Sequence, residues 1–466
     1  GLTEGFLRDE KGQIHLGGTL DAVRSVHGGL PAPSAKSAGV TIDIAGDVDP
    51  AQRRAAFEKS KDDLLSRPNR KDFSNDANFE LAKAMADFQL AKIELLVADS
   101  SQLHAVYSIS HEKKTSQFDG QVVPAKNTPL AKVVSRIGQE PDAFAGISND
   151  NAELVANINM PNDPNLGRAL KNVAAKAKAA ADARIDESSK VEQSQKSDDK
   201  QFAELVFEVA SDIAGMDTFN GVARIWTGNE GKLTSLTAAR VPHGDKYREL
   251  LRKFQHREQA PQKIQGVEVH KLVNARLQKD APELFGSDGA IYVATSDKAI
   301  WFAAGPDAMK RLEQAVEVTL PGKGAATGGS EGKQAIDLHT NLQALAAAWE
   351  AIGTRTNPGS DGSKRKSESK PANETKSSKR PAKRLTKQSD AEDGKSQDKK
   401  AAAASAVSDL ELHKIAGKTF KQGDGRLTMS LKGEGDKAKV SITCDEGILR
   451  FVGNVLSKFT EENLAD

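Results

Sequence analysis

The chain has 466 residues, too many for one ordinary core, and 38% apolar residues, fewer than a fully packed protein of that length carries. The net charge of +1 hides an uneven distribution: residues 355–400 hold fourteen Lys+Arg against seven Asp+Glu, leaving the remainder mildly acidic. One cysteine, Cys444, excludes an intrachain disulfide, and no apolar run reaches the roughly 18 residues of a membrane-spanning helix.

The elements expected from the sequence recur as hairpins followed by helices. "GFL-RDEKG-QIHLGG" reads as a hairpin entering a helix near residue 20. "VTIDIAGDVDPAQRRAAF" (40–57) reads as a strand and a helix, and "KIELLVADSSQLHAVYSI" (92–109) as a further hairpin. Hairpins are also expected at 142–160 across Asn149-Asp150-Asn151, at 219–240 across Gly228-Asn229, at 290–304 and at 426–443. Gly, Asn and Asp supply the backbone angles such turns require.

Each of these is followed by a helix signal. Asp163-Pro164 pairs an N-cap with a proline at the first helical position. "VPHGDKYRELLRKF" puts Tyr247, Leu250, Leu251 and Phe254 on one face, and "GPDAMKRLEQAVEV" again starts on Pro-Asp. The last helix aligns Ile448, Phe451, Val452, Val455 and Phe459. "FAELVFEVASDIAGM" (202–216) forms one more amphipathic helix after a polar Ser/Gln-rich junction.

The order hairpin–helix, strand–helix, hairpin is read twice, with Ile42-Asp43-Ile44 answering Ile336-Asp337-Leu338, so a tandem duplication is expected. The expected fold class is α+β: duplicated β-hairpin–helix units forming antiparallel sheets covered by helices on one face, in two domains. The boundaries are 1–189 for the first domain, 190–353 for the first part of the second, 354–408 for a disordered basic insertion, and 409–466 for the hairpin–helix that completes the second. From 355 to 400 the insertion has Leu385 as its single large aliphatic and cannot bury enough surface to offset its ordering entropy. An exposed sheet face or groove should remain.

Chemistry-bearing motifs are sparse. Gly417-Lys418-Thr419 lacks the earlier glycine of a phosphate loop, since position 412 is Leu. The nine histidines show no HxH or HExxH spacing, which gives zinc little support. Asp43, Asp47 and Asp49 are the best metal candidates, but Asp49 before Pro50 reads as a helix cap and Asp43 is matched by Asp337, so a structural role is favoured. Cys444 reads as a small buried hydrophobe. No cofactor and no catalytic residue is expected.

The sharpest local signal is the basic stretch 363–387, in which Lys364, Arg365, Lys366, Lys379, Arg380, Lys383 and Arg384 form two clusters around a polar spacer. It fits a polyanion or acidic-surface contact, a bipartite nuclear-localisation signal, or a solvated linker. Without interleaved aromatics there is no stacking platform, so nucleic-acid binding would be nonspecific.

The hairpins that lead into "GPDAMKRLEQAVE" and "VPHGDKYRELLRKF" resemble large exported proteins of bacteria of the planctomycete type, over most of 1–350 and 410–466. That resemblance implies extracytoplasmic residence, periplasmic or extracellular, without an assigned enzymatic activity. It brings no functional residues. Gly1 in place of a Met implies a trimmed start, with which a signal peptide would have been lost. The resulting expectation is a non-catalytic exported structural, scaffold or binding protein that self-associates or takes a protein or acidic partner. The alternatives are a polyanion binder, nuclear if the basic clusters act as a localisation signal, and an enzyme with a site between domains.

Overall fold

The computed structural model describes residues 6–10, 13–17, 37–45, 49–65, 70–188, 192–228, 232–253, 261–273, 285–286, 290–319, 334–343, 345–346, 409–420 and 425–464. The class is α+β. Strands β1 (Phe6–Glu10) and β2 (Gln13–Gly17) form a separate antiparallel hairpin. All other strands belong to one 13-stranded sheet, antiparallel throughout. They are β3 (Ser37–Ala45), β4 (Ser100–Ser110), β5 (Thr115–Pro124), β6 (Ala152–Pro161), β7 (Thr218–Thr227), β8 (Leu233–Arg240), β9 (Gln262–Ile264), β10 (Val267–Val273), β11 (Ala290–Thr295), β12 (Ala299–Ala304), β13 (Gln334–Asn341), β14 (Arg426–Glu434) and β15 (Lys437–Asp445).

Their spatial order is β3-β4-β5-β15-β14-β13-β6-β7-β8-β12-β11-β10-β9. The sheet does not divide at residue 190. β6, from before that position, pairs along its length with β7, from after it, and β13, β14 and β15 sit between β5 and β6. The first six strands are palindromic in order. A strand and a hairpin from early in the chain meet a strand and a hairpin from its end, joined through β5 and β15.

The helices are α1 (Pro50–Leu65), α2 (Asp76–Ala98), α3 (Pro129–Arg136), α4 (Pro164–Glu187), α5 (Gln193–Ala214), α6 (Gly244–Lys253), α7 (Ala308–Thr319), α8 (Asp409–Phe420) and α9 (Glu446–Leu464). Their starts follow the local signals. The Asp163 carboxylate accepts from the amides of Asn165 (2.9 Å) and Leu166 (3.1 Å), and α4 begins on Pro164. Asn75 and Thr128 cap α2 and α3 in the same way.

Two sequence expectations are corrected. Residues 142–151 are turns instead of the first strand of a hairpin. Phe144 and Ile147 are spaced three apart, not two, and both are buried in the core beside α7. Trp226 Nε1 donates to the Asp150 carbonyl (3.0 Å), fixing the end of this plug. Residues 92–98 likewise extend α2 instead of forming a strand; Leu90, Leu95 and Ala98 are buried along it, and the hairpin there is β4–β5.

The two parts of the sheet are covered differently. Adjacent residues of a strand face opposite ways, and in β11 and β12 both faces are buried. Trp301 and Ala294 pack with Leu312 and Val316 of α7, whereas Ile300 and Val293 pack with Leu205 of α5 and Tyr247 and Leu251 of α6. Helices therefore lie on both faces there, beyond the single covered face expected. In the part from β5 to β6, Val122, Ala438, Leu431 and Met160 pack against Leu95 of α2, Leu130 and Val134 of α3 and Leu166 of α4. The hydrophobic clusters of this part use that face of β5, β15 and β14.

Candidate functional site

The opposite face of β4, β5, β15 and β14 is polar because each strand alternates. "QLHAVYSIS" and "TSQFDGQVV" put most of their apolar residues on the covered face and His104, Ser108, Gln117, Asp119 and Gln121 on the other side, where Val106 is the apolar exception. "RLTMSLK" and "KAKVSIT" do the same with Thr428, Ser430, Lys432, Lys439, Ser441 and Thr443. Register assembles these into cross-strand rows. Asp119 is opposite Ser441, Ser441 opposite Ser430, Ser430 opposite Asp337, and Asp337 opposite Asn157. A parallel row runs His104, Gln121, Lys439, Lys432.

The rows floor a groove of about 490 Å³ centred on the junction of β5 and β15. Ser441 Oγ donates to Asp119 Oδ1 across the junction (2.7 Å) and Gln117 Nε2 donates to Asp119 Oδ2 within β5 (2.6 Å), so both carboxylate oxygens are engaged. Lys439 Nζ pairs with Glu434 (2.6 Å). Its charged residues, Lys432, Lys439, Asp119 and Glu434, cancel. A carboxylate is too weak a base to ionise a serine hydroxyl, so the Ser441–Asp119 contact fixes the floor and does not create a nucleophile.

One end of the face grades into a buried network. Arg224 is 1% exposed. It donates to the carbonyls of Ala156 and Ala223 (both 2.9 Å) and to Asn157 Oδ1 (2.6 Å). Asn157 Nδ2 reaches Asp337 Oδ2 (3.5 Å), and His339 Nε2 lies 2.7 Å from Asp337 Oδ1. Burial pushes the guanidinium below its ordinary pKa, and the nearby carboxylates of Asp142 and Asp337 act the other way.

Other cavities lie among the described residues, the smallest, about 240 Å³, beside Ile415, Lys418, Thr419, Arg450 and Asn454. A polar one of about 550 Å³ lies near the ends of α3 and α5, where Arg136 binds Glu140 (3.0 Å) and Thr218 (3.1 Å). There Asp212 accepts from Tyr247 and pairs with Lys246, contacts that tie α5 to α6. An apolar cavity of about 430 Å³ lies beside Phe202, Val206 and Phe302. Among the described residues, no group of three or more His, Cys, Asp or Glu is arranged to hold a metal ion, and no helix is long and apolar enough to cross a membrane.

The candidates read from sequence fall elsewhere. Lys364, Arg365, Lys366, Lys379, Arg380, Lys383 and Arg384 lie outside the described residues, as does Asp47. Asp43 is in β3, and Asp49 immediately precedes α1, where its carbonyl accepts from the Arg53 amide (3.1 Å). Gly417-Lys418-Thr419 lies inside α8 and is no phosphate loop. Cys444 is half-buried in β15, and burial raises its thiol pKa. The groove residues were signalled only by strand alternation; that two hairpins distant in sequence lie side by side required the fold. Comparison with family models, with curated proteins and with solved structures found no match.

Proposed function

We propose that this is a non-catalytic binding or scaffold protein that takes an uncharged polar ligand on the face formed by β4, β5, β15 and β14. The observation that carries the reading is the groove itself. Val106 and Val440 supply apolar surface, most of the other side chains are hydrogen-bonding, and the charges balance, so recognition would rest on oriented polar groups beside apolar contact instead of on a net field. Gln121, Ser108 and Ser430 offer donors and acceptors along it. No Phe, Tyr or Trp is among its lining residues, where His104 is the single ring, which favours an extended backbone or polyol bound edge-on over a ligand held between stacked rings. Residence outside the cytoplasm belongs to the same reading and is supported by the resemblance of the hairpin–helix units to exported proteins.

The localised charge of 363–387 favours a second reading, polyanion contact through Lys364, Arg365, Lys366, Lys379, Arg380, Lys383 and Arg384. Salt separates the two, because phosphate or sulfate contacts release counterions and hydrogen bonds to neutral groups do not. The test is calorimetric titration of the chain with a neutral oligosaccharide, a capped uncharged peptide and heparin at low and high salt. The first reading predicts binding of a neutral probe that changes by less than about twofold with salt and is lost in Gln121→Ala/Ser430→Ala. Binding of heparin alone, steeply weakened by salt and abolished by deleting 363–387, would replace it with the second.

A further inference from the structure

We propose that the pocket between α8 and α9 is a binding site for a small phosphate or sulfate group. The two helices lie side by side. Ala416 and Phe420 of α8 pack with Ile448 and Phe451 of α9, and the Phe420 and Phe451 rings are 5.4 Å apart. Residues three and four apart share a helix face. Next to that apolar contact, Ile415, Lys418 and Thr419 form one ridge of α8, and Arg450 and Asn454 form one ridge of α9. Together they line a cavity of about 240 Å³. It shares no lining residue with the polar groove, so the two sites stand or fall separately.

The lining chemistry selects an oxyanion. Two cations, a hydroxyl and an amide converge there, and no carboxylate is among the lining residues. Lys418 is exposed, and its ammonium has no hydrogen-bond or ion-pair partner among the described residues. Arg450 Nε lies 3.6 Å from Glu446 Oε1, one turn earlier in α9. A guanidinium carries five N–H donors, enough to hold that carboxylate and an anion together. Thr419 is 6% exposed, and its hydroxyl accepts from Asn454 Nδ2 (3.2 Å). No described acceptor takes the Thr419 hydroxyl proton, which leaves a donor of a buried residue unused at the pocket wall. Such a donor costs stability until an acceptor reaches it. The negative end of α8 accounts for one cation in its last turn. It does not account for a second cation and an unused hydroxyl donor on the same hollow. Size narrows the class: about 240 Å³ is below the roughly 300–1,000 Å³ of sites that enclose drug-sized ligands. The pocket therefore holds the tetrahedral group and not the body of a nucleotide or glycan. Donors arriving from two helices suit its several oxygens better than the two of a carboxylate. This is not phosphate-loop chemistry, because Lys418 and Thr419 stand inside α8 and contribute side chains instead of backbone N–H groups.

The test is calorimetric titration of the full chain at low salt with inorganic phosphate, inorganic sulfate, glycerol 3-phosphate and, as the carboxylate control, acetate. We expect a saturable site for the tetrahedral ions that binds at least about tenfold more tightly than acetate does. Equal binding of phosphate and glycerol 3-phosphate supports a site for the free ion; tighter binding of the ester supports an anchor for a larger phosphomonoester. Lys418→Met should weaken binding about tenfold, and Lys418→Arg should restore most of it. Asn454→Asp puts a carboxylate at the pocket and should abolish binding. Both side chains are exposed, so these variants keep the fold, which an unchanged far-UV spectrum checks. Three results would overturn the proposal. One is no saturable binding at about 10 mM phosphate or sulfate. Another is acetate bound as tightly as phosphate. The third is phosphate binding that Lys418→Met and Asn454→Asp leave unchanged, which would place the ion elsewhere, as on the basic stretch 363–387.

Discussion

Arg224 shows at the scale of one residue how the polar and apolar parts of the sheet are joined. A buried guanidinium is costly unless its donors are satisfied. Two backbone carbonyls and Asn157 take that role for the two terminal nitrogens, Nε is buried without a hydrogen-bond partner, and no carboxylate among the described residues lies within ion-pair distance. Asn157→Leu removes an acceptor from a buried cation and a donor from Asp337, and should cost about 2 kcal/mol in chemical denaturation. Tyr247 poses the opposite problem. It is fully buried and donates to Asp212, and burial first, then that hydrogen bond, raises its pKa well above the tyrosine norm. The folded state therefore keeps a proton that the unfolded state loses above about pH 10. Stability from this group is complete below that pH and declines as pH rises further. In urea midpoints measured from pH 8 to pH 11, Tyr247→Phe should be less stable at the lower end and show a shallower alkaline decline.

At the scale of the element, helix starts were the most legible feature, because caps and prolines act locally. Asp163-Pro164 set α4 where the sequence placed it, and Asp163→Ala should lower the thermal midpoint by the equivalent of about 1 kcal/mol. The errors arose where short apolar runs admit two periods. "IELLV" continues α2, whose buried side begins upstream with Ala84 and Leu90 and runs on through Leu95 to Ala98. "DAFAGIS" forms a plug because Phe144 has a pocket beside α7 that no local rule reveals. Close approaches were illegible for the same reason. A β-carbon on Gly244 would lie 1.6 Å from the Ser296 carbonyl oxygen, backbone that cannot swing aside. Gly244→Ala should therefore displace the start of α6 from the β11–β12 turn and cost about 3 kcal/mol or more. An equilibrium denaturation curve would give the value.

For the whole molecule, the sequence carried the strands and their alternation but not their order. Nothing local says that β15 pairs with β5, about three hundred residues earlier in the chain, or that β13 slots beside β6. Those long-range ladders put the two polar hairpin faces edge to edge and make the groove. They also make the sheet mechanically continuous. In a Trp349→Phe background, the fluorescence of Trp226 and Trp301 beside α7 should accordingly report unfolding together with amide exchange in β4 and β5. Separate transitions would mean that the halves behave as independent domains despite the shared sheet.

The central claim is that the polar face is open for a ligand. It is tested most directly by thiol accessibility in a Cys444→Ser background, with single cysteines in place of Ser108, Gln121 and Ser430 and a buried control in place of Ala303. A small charged thiol reagent should label the three groove positions at least about a hundredfold faster than the control. Labelling as slow as that of the control would mean that the face is covered in the folded chain, and the binding reading would fall with it.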